Sequence, residues 1–278
     1  MGHPRIYLDS YFRRIEHDGP TEPTFATLAA LQANHASRIP FENLDVLLVR
    51  PIQLDVAMLH DKLVRWRRGG YCFEHNTLFL HVLRTLGFEV TPLAARVRWR
   101  RPEGLVTPRT HMLLRVDLSE GSFLVDVGFG GATPTSPLAL DIDGEQPTTL
   151  ELFRLVGADN DRELQIRQDG LWLALYRFTP EPQHSVDLEL ANWFVSTHPE
   201  STFVNRLMAA RPTSDRRHGL IDRDYSVRAP NGALKEERLT DGMAVVELLE
   251  REFLLPLTTA DRGAAASRLD ALAPSTNR

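Results

Sequence analysis

The chain has 278 residues, of which 42% are hydrophobic and 25% charged, with a formal net charge of −5 and a single cysteine. Its length favours two domains, or three small ones packed together, and its acidic balance argues against a general nucleic-acid binder, whose footprint is usually basic. No apolar run reaches the roughly 18 residues of a membrane span, one cysteine excludes an intramolecular disulfide framework, and the N-terminus lacks the pattern of a secretory leader, so a cytoplasmic protein is expected.

Residues 1–88 read as mostly helical. In "TFATLAALQANHA", Phe25, Leu28 and Leu31 recur every three positions behind Thr24, a fitting N-cap. In "LDVAMLHDKLVRW", Val56, Leu59, Leu63 and Trp66 keep helical spacing behind Asp55. In "CFEHNTLFLHVLRTLGF", Cys72, Asn76, Phe79, Leu83 and Leu86 form a stripe, and Gly87 stops the helix. From residue 89 the period changes to two. "RVRWR" puts Val97 and Trp99 on one face, and "HMLLRVDL" and "SFLVDVGF" follow around a polar turn with Gly121. "RELQIRQ" and "LWLALYRF" flank Asp169-Gly170, a hairpin cue because both turn positions need φ > 0. Residues 89–190 therefore suggest an antiparallel sheet or small barrel. Residues 191–278 are mixed, with a partly helical "VDLELANWFVSTHPESTFVNRLMAA", a hairpin cue at Asn231-Gly232 and an amphipathic helix in "DGMAVVELLEREFLLP".

The lone cysteine stands in "RRGGYCFEHN". A buried cysteine usually serves as a small hydrophobe. Here Gly69 and Gly70 permit a close approach by a ligand, and a helix N-terminus favours an anionic sulfur. A thiolate nucleophile needs an imidazole partner, and that imidazole needs an orienting group. His111 opens a strand in "RTHMLLRV", and Asp126 lies in "FLVDVGFGG", where an aspartate among Leu124, Val125 and Val127 is costly to bury unpaired. A turn centred near Gly121 would pair Asp126 with Arg115, leaving His111 roughly 13 Å further along the strand. Spacing alone leaves His75, three residues after Cys72, and His81 as competing bases. No CxxC or HExxH pattern occurs, so no metal site is expected. The basic runs "RWRR" and "RVRWRR" read as solvated faces, with attraction of a phosphorylated ligand as the sharper reading.

Together "RIPFENLD", "RRGGYCFEHN", "THMLL", "LVDVGFGG" and "NWFVSTHPESTF", spread from residue 38 to 203, resemble the arylamine N-acetyltransferase family, most closely its actinobacterial members. The resemblance implies an α+β fold with a cysteine-proteinase/transglutaminase-like core: a helical domain over 1–88 carrying the nucleophile, an antiparallel β-barrel domain over 89–190 carrying His and Asp, and an α/β lid over 191–278. It implies the triad Cys72, His111 and Asp126. It also implies ping-pong acetyl transfer from acetyl-CoA, through an acetyl-cysteine thioester, to the nitrogen of arylamines, arylhydrazines or hydrazides, with no metal. Phe41, Phe129 and Phe203 become the expected stacking partners of the amine, and Trp99 and Thr110 the expected lining of the acetyl-CoA entry. Core packing is the plainer role for Trp99 and Phe41. Val46 stands where close members often carry proline, and the eukaryotic insertion between the last two domains is absent. The competing readings are a peptidase or transglutaminase-like enzyme on the same triad, and a binding module that keeps the fold. The natural amine, the acyl range, the arginines that meet CoA phosphates and any homo-oligomer stay open.

Overall fold

The computed structural model describes residues 7–158 and 160–272; part of the leader reading rests on the first six residues and lies outside them. In chain order the helical segment holds α1 (Leu8–Ile15), α2 (Phe25–Arg38), the two-residue strand β1 (Phe41–Glu42), α3 (Leu44–Leu47), α4 (Val56–Leu59) and α5 (Cys72–Thr85). The Thr24 hydroxyl accepts from Thr27 N, and the Asp55 carboxylate accepts from Ala57 N and Met58 N, so both expected caps close their helix starts. After α4 the backbone widens into a π-helical turn over His60–Arg65, where sequence periodicity predicts one continuous helix. α5 is buried on nearly every side, not along one stripe. It lies between α4 and the strands β2 (Glu89–Val97) and β3 (Arg109–Leu118), so even its polar residues must find partners inside.

The strands that follow are β4 (Gly121–Val125), β5 (Leu138–Ala139), β6 (Glu145–Pro147), β7 (Leu152–Ala158), β8 (Asp161–Gln168) and β9 (Leu171–Phe178). With β2 and β3 they form an eight-stranded antiparallel sheet in the order β5-β4-β3-β2-β9-β8-β7-β6. The sheet is a nearly closed barrel. Its two edge strands meet through one side chain: Gln146 Oε1 accepts from Ala139 N at 2.7 Å, and Gln146 Nε2 donates to Ala139 O at 2.9 Å. The amide thus stands in for a missing rung of the ladder and covers an otherwise open edge. Asp169 and Gly170 turn with φ of 51° and 80°, as the β8–β9 hairpin needs.

The last segment contains α6 (Ser185–Thr197), α7 (Thr202–Asn205), β10 (Met208–Pro212), β11 (Arg217–Ile221), β12 (Asp224–Arg228), β13 (Leu234–Arg238), α8 (Gly242–Glu252) and α9 (Thr259–Ala271). α9 has no counterpart in the sequence reading, because "DRGAAASRL" lacks a strong apolar stripe; Ala265, Ala266 and Leu269 are nevertheless buried. The five-stranded sheet runs β1-β10-β11-β12-β13. One of its edges is therefore supplied by the helical segment, where Phe41 pairs with Ala210 and Glu42 with Ala209.

Beneath α5 runs a buried polar chain. Pro40 O can only accept, so His75 Nε2 donates to it at 3.2 Å. His75 Nδ1 then accepts from His35 Nε2 at 2.8 Å, and His35 Nδ1 accepts from the Tyr11 hydroxyl at 2.8 Å. Burial above all pushes both imidazoles down, His75 from 6.5 to about 4. Above pH 6.5 both folded and unfolded chains hold these rings neutral. Below it the unfolded chain binds protons that the folded chain refuses, so stability falls as pH drops from 6.5 towards about 4. At about 1.4 kcal/mol per pH unit, His75 alone costs about 3 kcal/mol over that window. Guanidinium melts of a His75→Gln variant are expected to show a correspondingly flatter acid slope; parallel slopes would remove His75 from acid destabilisation.

Candidate active site

Cys72 is the first residue of α5, and the chain before it is shaped by two glycines. A Cβ at Gly69 would sit 2.2 Å from Pro40 O, and one at Gly70 would sit 2.8 Å from Glu74 Oε2. The protein's own Pro40–Glu42 segment crowds Gly69 and the Glu74 side chain crowds Gly70, with Glu42 N donating to Gly70 O at 2.7 Å. Glu74 Oε2 accepts from Tyr71 N at 3.1 Å and closes the start of α5. Its other oxygen takes Lys62 Nζ at 2.7 Å, and Lys62 also meets Asp45 at 2.7 Å. Arg68 joins Glu42 at 2.9 Å. Burial would raise the Asp45 carboxyl, but Lys62 and Arg68 outweigh it and hold Asp45 down at about 2. This cluster anchors the end of α5 that carries the sulfur.

The turn between β3 and β4 is Ser119-Glu120, so Leu118 pairs with Gly121 and Leu114 with Val125. The pairing is displaced by two residues from a turn centred on Gly121, and β4 ends at Val125, leaving Asp126 free of the ladder. His111 is thereby brought to Asp126 directly, with His111 Nε2 2.7 Å from Asp126 Oδ2. Asp126 Oδ1 accepts from Gly128 N at 2.9 Å and from Asn76 Nδ2 at 3.0 Å. Burial would lift the Asp126 carboxyl, but the His111 charge and these hydrogen bonds hold it below the usual carboxylate range.

Cys72 Sγ lies 3.8 Å from the carbonyl of Thr110, the residue before His111, close enough to the His111 ring to bear on its charge. With Nε2 taken by Asp126, Nδ1 is the ring nitrogen left for sulfur. Burial alone would lower the imidazole. The Asp126 charge and hydrogen bond, followed by those of Cys72, instead raise it from 6.5 to about 10. His75 is committed to the polar chain under α5, and His81 is half-buried further along the helix. Cys72, His111 and Asp126 are 3%, 2% and 0% exposed, so the three groups sit in a dry environment where paired charges are strong.

The aromatic residues divide into two walls. The Phe129 ring stands edge-on to His111 at 5.1 Å and against Tyr176 at 5.1 Å, and Tyr176 also packs on His111 at 4.9 Å. Phe203 lies 6.0 Å from Phe41 and 5.5 Å from Tyr71, the neighbour of Cys72. Phe41 in turn packs beneath Gly130, where an added Cβ would come within 3.3 Å of its ring. Trp99 lies past the end of β2, half-buried with Phe129 against the barrel core, under the Arg100 guanidinium at 5.6 Å. Gly128 lets the Asp126 segment reach α5, since its Cβ would fall 2.8 Å from Cys72 Cα. The sequence reading missed Asn76 and Tyr176 as members of this cluster. A polar residue at i+4 from the cysteine on an apolar stripe is the signal for Asn76; "LWLALYRF" offers none for Tyr176.

Two cavities of about 510 and 420 Å³ lie away from the cysteine, the first beside the Asp45–Lys62–Glu74 cluster and the second between the β8–β9 and β12–β13 hairpins. Among the described residues no group of three or more His, Cys, Asp or Glu could hold a metal ion, and no helix is long and apolar enough to cross a membrane.

Comparison with known proteins gives a family model described as N-acetyltransferase that matches residues 24–262. The chain is 46% identical over 270 residues to the arylamine N-acetyltransferase of Mycobacterium tuberculosis, covering 95% of each. The solved structure of the arylamine N-acetyltransferase from M. tuberculosis superposes with a TM-score of 0.90, covering 95% of this chain and 99% of that one. The Mycobacterium marinum arylamine N-acetyltransferase in complex with CoA does so with a TM-score of 0.91 at 42% identity, covering 95% and 99%.

Proposed function

The chain belongs to the arylamine N-acetyltransferase family and is an acyltransferase, and on that premise we propose that it carries acetyl from acetyl-CoA to the nitrogen of arylamines, arylhydrazines or hydrazides through an acetyl-cysteine at Cys72. The observation that carries this reading is the buried His111–Asp126 contact at 2.7 Å beside the only sulfur nucleophile in the chain.

The reaction divides into two half-steps. His111 holds the proton that Cys72 gives up, so the sulfur attacks the thioester carbonyl as an anion. A carbon–sulfur bond forms to Cys72, the bond to the CoA sulfur breaks, and CoA leaves as a thiol with the proton returned by His111. Exchange of one thioester for another is nearly balanced. An aromatic amine is a weak base, so its nitrogen lone pair is available at neutral pH. It attacks the acetyl-cysteine carbonyl, a carbon–nitrogen bond forms, the carbon–sulfur bond to Cys72 breaks and returns the sulfur as thiolate, and His111 accepts the proton that the nitrogen loses. Asp126 holds the ring and stabilises its charged form at both stages.

Phe41, Phe129 and Phe203 are proposed as the apolar faces against which the aromatic acceptor stacks, and Trp99 and Thr110 as the lining of the donor's entry. The three-part division at residues 88 and 190 accompanies this reading, with the nucleophile, the His–Asp pair and the covering segment on separate stretches.

Incubation with acetyl-CoA alone, with no amine present, tests the central step. Intact-mass measurement is expected to show a gain of one acetyl group, mapped to Cys72 and discharged on adding an arylamine. A chain that stays unmodified while arylamine is still acetylated would replace the two-step route with direct transfer; no modification and no acetylation would favour a different acyl donor.

A further inference from the structure

We propose, resting on the functional reading above, that Asn76 is a positioning residue for the acetylation step: one side-chain amide ties the nucleophile helix to the strand that carries His111 and to the segment past β4 that carries Asp126, and fixes which Asp126 oxygen faces His111. Asn76 lies one turn beyond Cys72 on α5 and is fully buried. Its Nδ2 donates to Met112 O at 2.8 Å and to Asp126 Oδ1 at 3.0 Å, and its Oδ1 accepts from Val127 N at 3.2 Å. Met112 follows His111, and Val127 follows Asp126. Each contact therefore falls on a triad residue or on its neighbour in the chain.

The orientation of the amide is unique. Flipped, it would set an oxygen against Met112 O and Asp126 Oδ1, and an N–H against Val127 N. Asn76 and Gly128 N together occupy Asp126 Oδ1, leaving Oδ2 for His111. An apolar residue of this size would supply neither donor, and a carboxylate would point charge at charge. The titratable groups facing Asp126 are His111 from β3, Tyr176 from β9, whose phenol burial and the Asp126 charge keep neutral, and Cys72 from α5 across the imidazole. The two donors to Oδ1, Gly128 N and Asn76 Nδ2, add to the charge and hydrogen bond of His111 in keeping Asp126 ionised.

The test compares Asn76→Ala with the isosteric Asn76→Asp in the full-length protein, following the rate of Cys72 acetylation from about pH 5 to about pH 9. Loss of the donor raises the pH at which Asp126 takes a proton, and a second carboxylate raises it further. The acid limb of the rate profile is expected to move up in the order Asn, Ala, Asp. Rates near neutrality are expected to fall by on the order of 10-fold for Ala and 100-fold for Asp, with the acetyl-CoA KM unchanged. A purely packing role predicts the opposite order, since Ala leaves a cavity and Asp does not. Limbs that coincide with the parent, or an Asp variant faster than the Ala variant, would overturn the proposal, as would failure of both variants to fold. Where only one folds, the position of its acid limb decides. Alkylation of Cys72 by iodoacetamide reads the same ordering without acetyl transfer. Alkylation that keeps this order across parent and variants, in a parent that takes no acetyl group, sinks the functional reading alone.

Discussion

Replacing Asp126 with Asn is expected to lower arylamine acetylation by on the order of 10^4-fold while the protein stays folded. The side chain keeps its shape, so packing around it is preserved. Its hydrogen bonds cannot be. Asp126 accepts from Asn76, Gly128 N and His111 and donates to nothing. An amide that keeps its oxygen towards Asn76 and Gly128 must turn its NH₂ towards His111 Nε2. That nitrogen must then be unprotonated, which puts the ring proton on Nδ1 against the sulfur, where the ring can no longer receive one. The anion that outweighed burial and lifted His111 to about 10 is also gone, so burial favours the neutral ring. Steady-state turnover and thermal melting on the same preparation check this. Turnover within about tenfold of the parent, at an unchanged melting temperature, would strip Asp126 of its part.

Cys72→Ser is expected to abolish the acetylated intermediate and to cost on the order of 10^4-fold or more in turnover. A hydroxyl fits where the thiol sits and donates to the same Thr110 carbonyl, so the fold loses little. An alcohol is far harder to ionise than a thiol, however, and a single imidazole tuned to hold an imidazolium beside sulfur does not make an alkoxide. Exchanging a thioester for an ester also gives up the balance between donor and intermediate. Stabilisation of the variant by CoA in a thermal melt separates intact binding from lost chemistry. If the Ser variant kept more than about a hundredth of parent turnover, the amine would have to take acetyl from CoA directly.

Much of the architecture was legible because it obeys two periods. Helical spacing located α2, α5 and α8, Thr24 and Asp55 capped as their side chains dictate, and Asp169-Gly170 turned where φ must be positive. Periodicity failed where burial was not one-sided or where the local signal was weak. The π-helical turn after α4 widens a helix without changing which residues are apolar, and α9 buries mostly alanines. The site was legible as a set of residue types in a family pattern, but not as a geometry. Counting along the strands left His111 far from Asp126. The contact arises because the two-residue turn Ser119-Glu120 displaces the pairing and because Asp126 leaves the ladder at the strand's end. Nor could spacing exclude His75; its hydrogen bonds to His35 and Pro40 occupy both of its ring nitrogens.

The strand Phe41–Glu42 is made early in synthesis, yet its partner Met208–Pro212 leaves the ribosome only after most of the chain. Asn43, one residue on, takes its hydrogen bond from Met208 N across a separation of 165 residues. The segment that braces the two glycines before Cys72 therefore has no finished wall until late in translation. A nascent or C-terminally truncated chain would carry the sulfur on a formed helix beside an unpaired strand edge, both inactive and prone to self-association. Competence for chemistry is thus gained late, in the same event that covers that edge.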